Sequence, residues 1–305
     1  MTVHPTDPQL LDLLEAAVAE GPPAALRGRI LGGLSPRPPG RGPLSPVESI
    51  AGLVDDITAL LTDLSPVEWT APTVNRLDVR TMVGHLTGSD TYLGSRFGFW
   101  PPEHDEVDPL DHLGASQPAI DRAAASDPLT VASEWRRGAD DLVDHLRSLP
   151  TERLGAPCSY HSVTGTGHDV LVARSFELWT HLDDLCRAVG RAPARPPADR
   201  LSLMTDLASH LVAPAAAVAG AASGAALPDT TLRLVLTGPG GGCWDRQLGN
   251  GGPDGEPGTV LVADTLAFCW LVAGRLSADD LDAEITGDPR PAELVLAGLP
   301  SFALD

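Results

Sequence analysis

Glu177 and His181 stand four residues apart in RSFELWTHLDDLCRAVG, and a distant His85 stands in DVRTMVGHLTG. On an α-helix, positions i and i+4 are offset by about 40° around the axis and roughly 6 Å along it, so both side chains can converge on one point. Two imidazoles and a carboxylate at that point could hold a divalent metal ion with one or more coordination positions open to water or substrate. That is the arrangement of a catalytic and not a structural site. On spacing alone, a hydrogen-bonded core cluster is the alternative, because buried polar groups usually find ordinary partners. A solvated helix face fits less well. Phe176, Leu178, Leu182 and Leu185 set Glu177 and His181 beside or within an apolar stripe, and His85 shares a face with Met82 and Leu86. A carboxylate left there without a cation costs several kcal/mol.

The elements that must carry these residues follow from hydrophobic period and capping. Ser45 as N-cap and Pro46 at the first helical position open an amphipathic run through Ile50, Leu53, Val54, Ile57, Leu60, Leu61 and Leu64. Asp78 caps a second helix bearing Val79, Met82, Val83, His85 and Leu86. A third is expected over 116–125, and a longer one opens at Asp127-Pro128 and ends before Pro150. Residues 155–167 read as turn-rich, and His168-Asp169 open the helix of Glu177 and His181, which Gly190 closes. The span 46–190 thus holds about four substantial helices and no convincing strand, which makes a four-helix bundle.

A proline-rich connector, RAPARPPA, follows at 191–198, then one helix over 199–227. The period then falls from 3.6 to 2. Thr231 to Thr237 alternates, GPGGG at 238–242 turns, and Trp244 to Leu248 and Thr259 to Val262 read as strands. A helix over 264–276, a strand over 281–286 and a helix near 291–298 complete an α+β unit. The domain division expected is a helical extension over 1–45, a bundle over 46–192 and an α+β domain over 199–305. The extension reads as an appendage, ending at the Pro/Gly cluster of residues 36–40.

Composition removes several classes of function. With 41 acidic against 21 basic residues the formal charge is -20, a field that repels phosphate backbones and anionic bilayers. No nucleic-acid or membrane partner is expected. Every basic side chain of the Lys/Arg pair is arginine, so a lysine Schiff base is excluded. The four cysteines, Cys158, Cys186, Cys243 and Cys269, form no C-x-x-C pair and read as buried or free thiols of a reducing compartment. The first residues lack the basic start and apolar run of a signal peptide, and no apolar stretch approaches the ~20 residues of a membrane span, so a cytoplasmic protein is expected.

The pieces LSPVEWTAPT, LDVRTMVGHLTGSDTYL and RSFELWTHLDDLCRAVGR, in that order, resemble the mycothiol-dependent maleylpyruvate isomerase family of the DinB-like metalloenzyme superfamily, known from actinobacterial-type sources. TLRLVLTG, ADTLAFCWLVAGRLS and EITGDPRPAELVLAGL resemble that family's C-terminal domain. The resemblance covers about residues 46–300 and implies a DinB-like four-helix bundle followed by a smaller sterol-carrier-protein-like α+β domain. It implies His85, Glu177 and His181 as metal ligands, zinc being the usual ion. Asp184, three residues past His181, would orient an imidazole N–H, or else be a surface acid. Arg174 would anchor a substrate carboxylate, or else sit in a surface ion pair. The family often has tryptophan before the D-V-R helix start, where this chain has Leu77.

His161 and His168 flank the loop into the Glu177 helix and are candidates to shuttle protons, with solvated bystanders as the plainer reading. The GPGGG segment has no helix N-terminus behind it and reads as a turn; Trp244 and Trp270 read as core aromatics of the second domain. The activity the resemblance implies is a metal-dependent isomerase or thiol S-transferase using mycothiol on a small, electrophilic, unsaturated acid-like substrate. In an isomerase, a thiolate adds to a conjugated double bond, allows rotation and leaves; in a transferase it stays attached. The expected partners are the small-molecule substrate and the low-molecular-weight thiol, in a monomer or homodimer. A thiol-independent metalloenzyme of specialised metabolism and a non-catalytic ligand-binding or regulatory protein are the alternatives.

Overall fold

The computed structural model describes residues 44–101, 112–192, 195–249 and 257–303. The expected helical extension, the centre of the 98–115 loop and most of the Gly-rich 249–258 loop lie outside these residues. Helix α1 (Pro46–Thr62) starts as its sequence requires, with Ser45 Oγ accepting from the Glu48 N–H at 3.2 Å and Pro46 in the first turn. Helix α2 (Val79–Arg96) opens with a reciprocal capping box between Asp78 and Thr81. Helix α3 (His112–Ala125) begins four residues earlier than expected and lies against α2. Helix α4 (Pro128–Ser148) is capped by Asp127, and one short turn, α5 (Thr151–Gly155), follows.

The span expected to lack strands contains a small hairpin, β1 (Pro157–Tyr160) and β2 (Val163–Thr166), antiparallel, with Tyr160 opposite Val163. Its strands are four residues each and rich in Ser, Thr and Gly, so no apolar alternation announces them. The two-residue turn is His161-Ser162, and His161 takes φ 49°, in the left-handed region. Thr166 then caps helix α6 (Gly167–Ala188) through a second capping box with Asp169. Helices α1, α2, α4 and α6 make the bundle, with α3 outside on α2.

Where one helix was expected over 199–227, there are two, α7 (Ala198–His210) and α8 (Val212–Ser223), meeting at 45° at Leu211. Among the described residues no single helix is long and apolar enough to cross a membrane. The sheet runs β4 (Gly242–Leu248), β3 (Thr230–Thr237), β5 (Thr259–Asp264), β6 (Ala283–Gly287); β3 and β5 are parallel and the outer pairs antiparallel. Helix α9 (Thr265–Val272) is shorter than the expected 264–276, and α10 (Pro289–Gly298) packs on α8. Leu232, Leu234 and Leu236, alternating along β3, enter the main core with Phe268 and Val295, and this core is continuous with that of the bundle.

That continuity matters for α6. Its residues from Val170 to Cys186 are buried on every side, because the bundle covers one face and the α+β unit the other. Trp179 of α6 stacks against Trp270 of α9 with ring centroids 4.0 Å apart, so Trp270 belongs to the seam between the two units and not only to the second core.

Candidate metal centre

His85 comes from the second turn of α2, Glu177 and His181 from the middle of α6. One ligand atom from each lies within 4.8 Å of the others, and all three residues are buried, at 1%, 2% and 0% exposure. The His85 and His181 rings meet edge to face with centroids 5.1 Å apart. His85 Nε2 is 3.6 Å from Glu177 Oε1.

The two oxygens of Glu177 are not equivalent. The Tyr160 hydroxyl donates to Oε2 at 2.8 Å. Oε1 has Arg174 Nη1 at 2.9 Å as an ion-pair contact, yet no aligned hydrogen bond reaches it. Burial pushes the Glu177 carboxyl upward, but the charges of Arg174, His85 and His161 outweigh it, and the group is held well below the usual carboxylate range. Glu177 is therefore an anion at neutral pH.

His181 Nδ1 is 3.2 Å from Asp184 Oδ2. Burial works to raise the Asp184 carboxyl, while His181 and Arg275 hold it below its ordinary range. An ionised carboxylate only accepts, so the Nδ1 proton points at Asp184, which in the neutral imidazole leaves the lone pair on Nε2. That Nε2 is buried with no hydrogen-bond partner among the described residues. A buried imidazole nitrogen without a hydrogen-bond partner and a buried carboxylate oxygen whose near contact is the Arg174 guanidinium, with ligand atoms of all three residues within 4.8 Å of one another, suit a divalent cation: the donor set is two nitrogens and one oxygen. Arg275, just past α9, donates to both Asp184 oxygens at 3.0 and 2.7 Å, so the α+β unit supports the carboxylate behind His181.

Arg174 is neither on the surface nor open to a ligand. It is fully buried, with Nε and Nη2 on Asp90 Oδ1 at 3.0 and 2.7 Å and Nη2 also on the Leu86 carbonyl at 3.1 Å. Trp135 Nε1 donates to the other Asp90 oxygen at 3.0 Å. The expected role as a substrate anchor thus meets a guanidinium already engaged by Asp90 and Glu177. Desolvation raises the Asp90 carboxyl above its ordinary range, against the pull of Arg174 and Trp135.

His168 lies in the first turn of α6, nearly half exposed, with Asp169 Oδ1 at 3.8 Å. At 1.5 Å per residue it stands about 13 Å along the axis from Glu177, beyond direct reach. His161 is the nearer of the two loop histidines: buried, and packed on Tyr92 and Tyr160 with centroids 4.7 and 4.2 Å apart. Sequence reasoning missed Tyr160, Asp90 and Arg275, because nothing local marks a tyrosine in a four-residue strand or an arginine 91 residues past its carboxylate. Cys158, Cys186 and Cys269 have thiols raised by burial, and no disulfide forms. A cleft of about 30 Å³ at the seam is lined by Phe176, Glu177, Thr180, Val272, Ala273 and Phe302; neither histidine lines it, and the Glu177 side chain itself has no exposure.

The fold is a mostly helical one, a bundle with two buried histidines and a glutamate at its centre, followed by a small α+β part. Residues 50–186 match the family model "Mycothiol maleylpyruvate isomerase N-terminal domain". Two solved structures share the fold, the mycothiol-dependent maleylpyruvate isomerase and a histidine-to-alanine variant of it. Each has a TM-score of 0.53 and 14% identity, and the match covers 78% of this chain and 91% of that one. No curated protein matches.

Proposed function

We propose that the protein is a mycothiol-dependent isomerase with a divalent metal ion held by His85, Glu177 and His181, acting on a small electrophilic acid. The observation that carries the reading is the meeting of these three side chains in a buried space where Glu177 Oε1 and His181 Nε2 lack hydrogen-bond partners. The family match over 50–186 supports the thiol and the reaction class. A metal ion bound there, zinc in the first instance, would lower the pKa of a coordinated thiol or water toward neutrality.

The chain's own residues prepare that space. Arg174 keeps Glu177 ionised, and Asp184, braced by Arg275, holds the His181 proton on Nδ1 and turns Nε2 inward. The side chains of His85, Glu177 and His181 are at most 1% exposed, which keeps bulk water from the space between them. With Arg174 engaged internally, recognition of a substrate carboxylate falls to other groups at the seam.

The test is elemental analysis of purified protein beside His85→Ala, followed by turnover with and without mycothiol. The expected result is about one metal per wild-type chain, little in the variant, and turnover that needs the thiol. A wild-type protein without stoichiometric metal would make the centre a hydrogen-bonded core cluster and point to a binding protein. Stoichiometric metal with turnover indifferent to mycothiol would point to a thiol-independent enzyme.

A further inference from the structure

We propose that Tyr160 is a positioning residue of the candidate metal centre: by occupying Glu177 Oε2 with its hydroxyl, it presents Oε1 alone to the space shared with His85 and His181. The inference rests on the metal reading above and adds to it a device that fixes how many oxygens Glu177 can offer.

A glutamate on a helix is free to rotate about its last torsion, and a carboxylate can bind a cation through one oxygen or two. In this site the rotation is blocked from one side. The Tyr160 hydroxyl lies 2.8 Å from Oε2, and Tyr160 is completely buried, so neither partner has water as an alternative. Oε1 has no aligned hydrogen bond; Arg174 Nη1 lies 2.9 Å from it as an ion-pair contact and His85 Nε2 3.6 Å from it.

The hairpin that carries Tyr160 is built to hold that hydroxyl still. Tyr160 is the last residue of β1, and the next, His161, adopts a left-handed backbone that non-glycine residues seldom take. Such conformations persist only where the surroundings impose them. Here the His161 ring is wedged on Tyr92 of α2 and on Tyr160 itself, and Tyr92 and Tyr160 also touch, with centroids 5.6 Å apart. Tyr160 is thus located from α2, which carries His85, and acts on α6, which carries Glu177 and His181.

Tyr160→Phe keeps the ring and its packing and removes only the hydroxyl. In titrations of the metal-free full chain with zinc, the variant is expected to bind about 10- to 100-fold more weakly, the usual range for loss of a group that orients a ligand. Cobalt substituted for zinc is expected to show a changed visible spectrum in the variant, which a lost packing contact would not produce. Tyr92→Phe removes a hydroxyl from the same aromatic cluster away from Glu177 and is expected to leave affinity within about twofold. The chain has only two tyrosines, so fluorotyrosine labelling reports on Tyr160 without altering the hairpin. On adding zinc, the fluorine resonance of Tyr160 is expected to move and that of Tyr92 to stay, with Tyr92→Phe supplying the assignment. Unchanged zinc affinity and cobalt spectrum in Tyr160→Phe, or a Tyr160 resonance indifferent to bound zinc, overturns this inference alone. A wild-type chain that takes up no metal overturns the reading beneath it as well.

Discussion

At the scale of single residues, the centre is a problem of buried charge. Two carboxylates, Asp90 and Glu177, and one guanidinium, Arg174, share an interior in which each is at most 5% exposed. Removing one member of such a set costs far more than the set contributes, because its partner stays behind uncompensated. Arg174→Met is therefore expected to destabilise the protein by about 3–5 kcal/mol, read from urea unfolding of the metal-free chain. A loss under about 1 kcal/mol would mean that the carboxylates are already neutral in the fold. The four-residue spacing of Glu177 and His181 was enough to place them on one face, and the structure brings His85 to them. Nothing in the spacing distinguished Arg174 as an internal ion pair, since its partner Asp90 comes from α2, 84 residues earlier.

At the scale of elements, the site depends on how α2 and α6 begin and how closely α2 is packed. The Asp169 carboxylate accepts from the Thr166 N–H and hydroxyl, both at 2.8 Å. Burial opposes ionisation there, but these hydrogen bonds from Thr166 hold the group below its ordinary range. A depressed carboxyl adds stability above its unfolded value, near 3.9, and loses it as pH falls through the folded one. Asp169→Asn is thus expected to lower stability at pH 7 by about 1 kcal/mol and to flatten the decline on acidification below about pH 4, as followed by thermal melts across pH. Helix α2 meets α3 through Gly84, beside His85. A Cβ at Gly84 would lie 2.7 Å from Ala123 Cβ and 2.9 Å from the Ala119 carbonyl oxygen. Alanine improves helix propensity by up to about 1 kcal/mol, but overpacking against a backbone costs about 1–3, so Gly84→Ala is expected to be net destabilising by melting temperature. Most helices were legible because caps and a 3.6 period mark them. The hairpin was not, since short Ser/Thr/Gly strands carry no alternation, and the break at Leu211 was not, since the apolar Ala-rich run reads through it.

At the scale of the whole molecule, the α+β unit is part of the centre. Arg275 holds Asp184, Trp270 packs on Trp179, and Arg187 of α6 lies over the Trp270 ring with its central carbon 5.6 Å from the centroid. Arg275→Ala is expected to lower zinc affinity about 10-fold, read by calorimetric titration at a temperature where the variant is folded, and also to lower the melting temperature of the metal-free chain, because the buried Asp184 loses its cationic partner. Equal affinity would mean that Asp184 is oriented from within α6. By itself the sequence determined the helices, the alternating strand β3, the one-sided charge and the pairing of Glu177 with His181. Each of these is written in neighbours a few residues apart, where caps, period and composition act. Only the tertiary structure decided that α6 is buried all round, that Arg174 faces inward, and that Tyr160 and Arg275 stand behind the candidate ligands. Those contacts join residues 17 to 91 positions apart, and no local rule connects them: they exist because two units close on one helix and leave its polar groups nowhere to turn but toward each other.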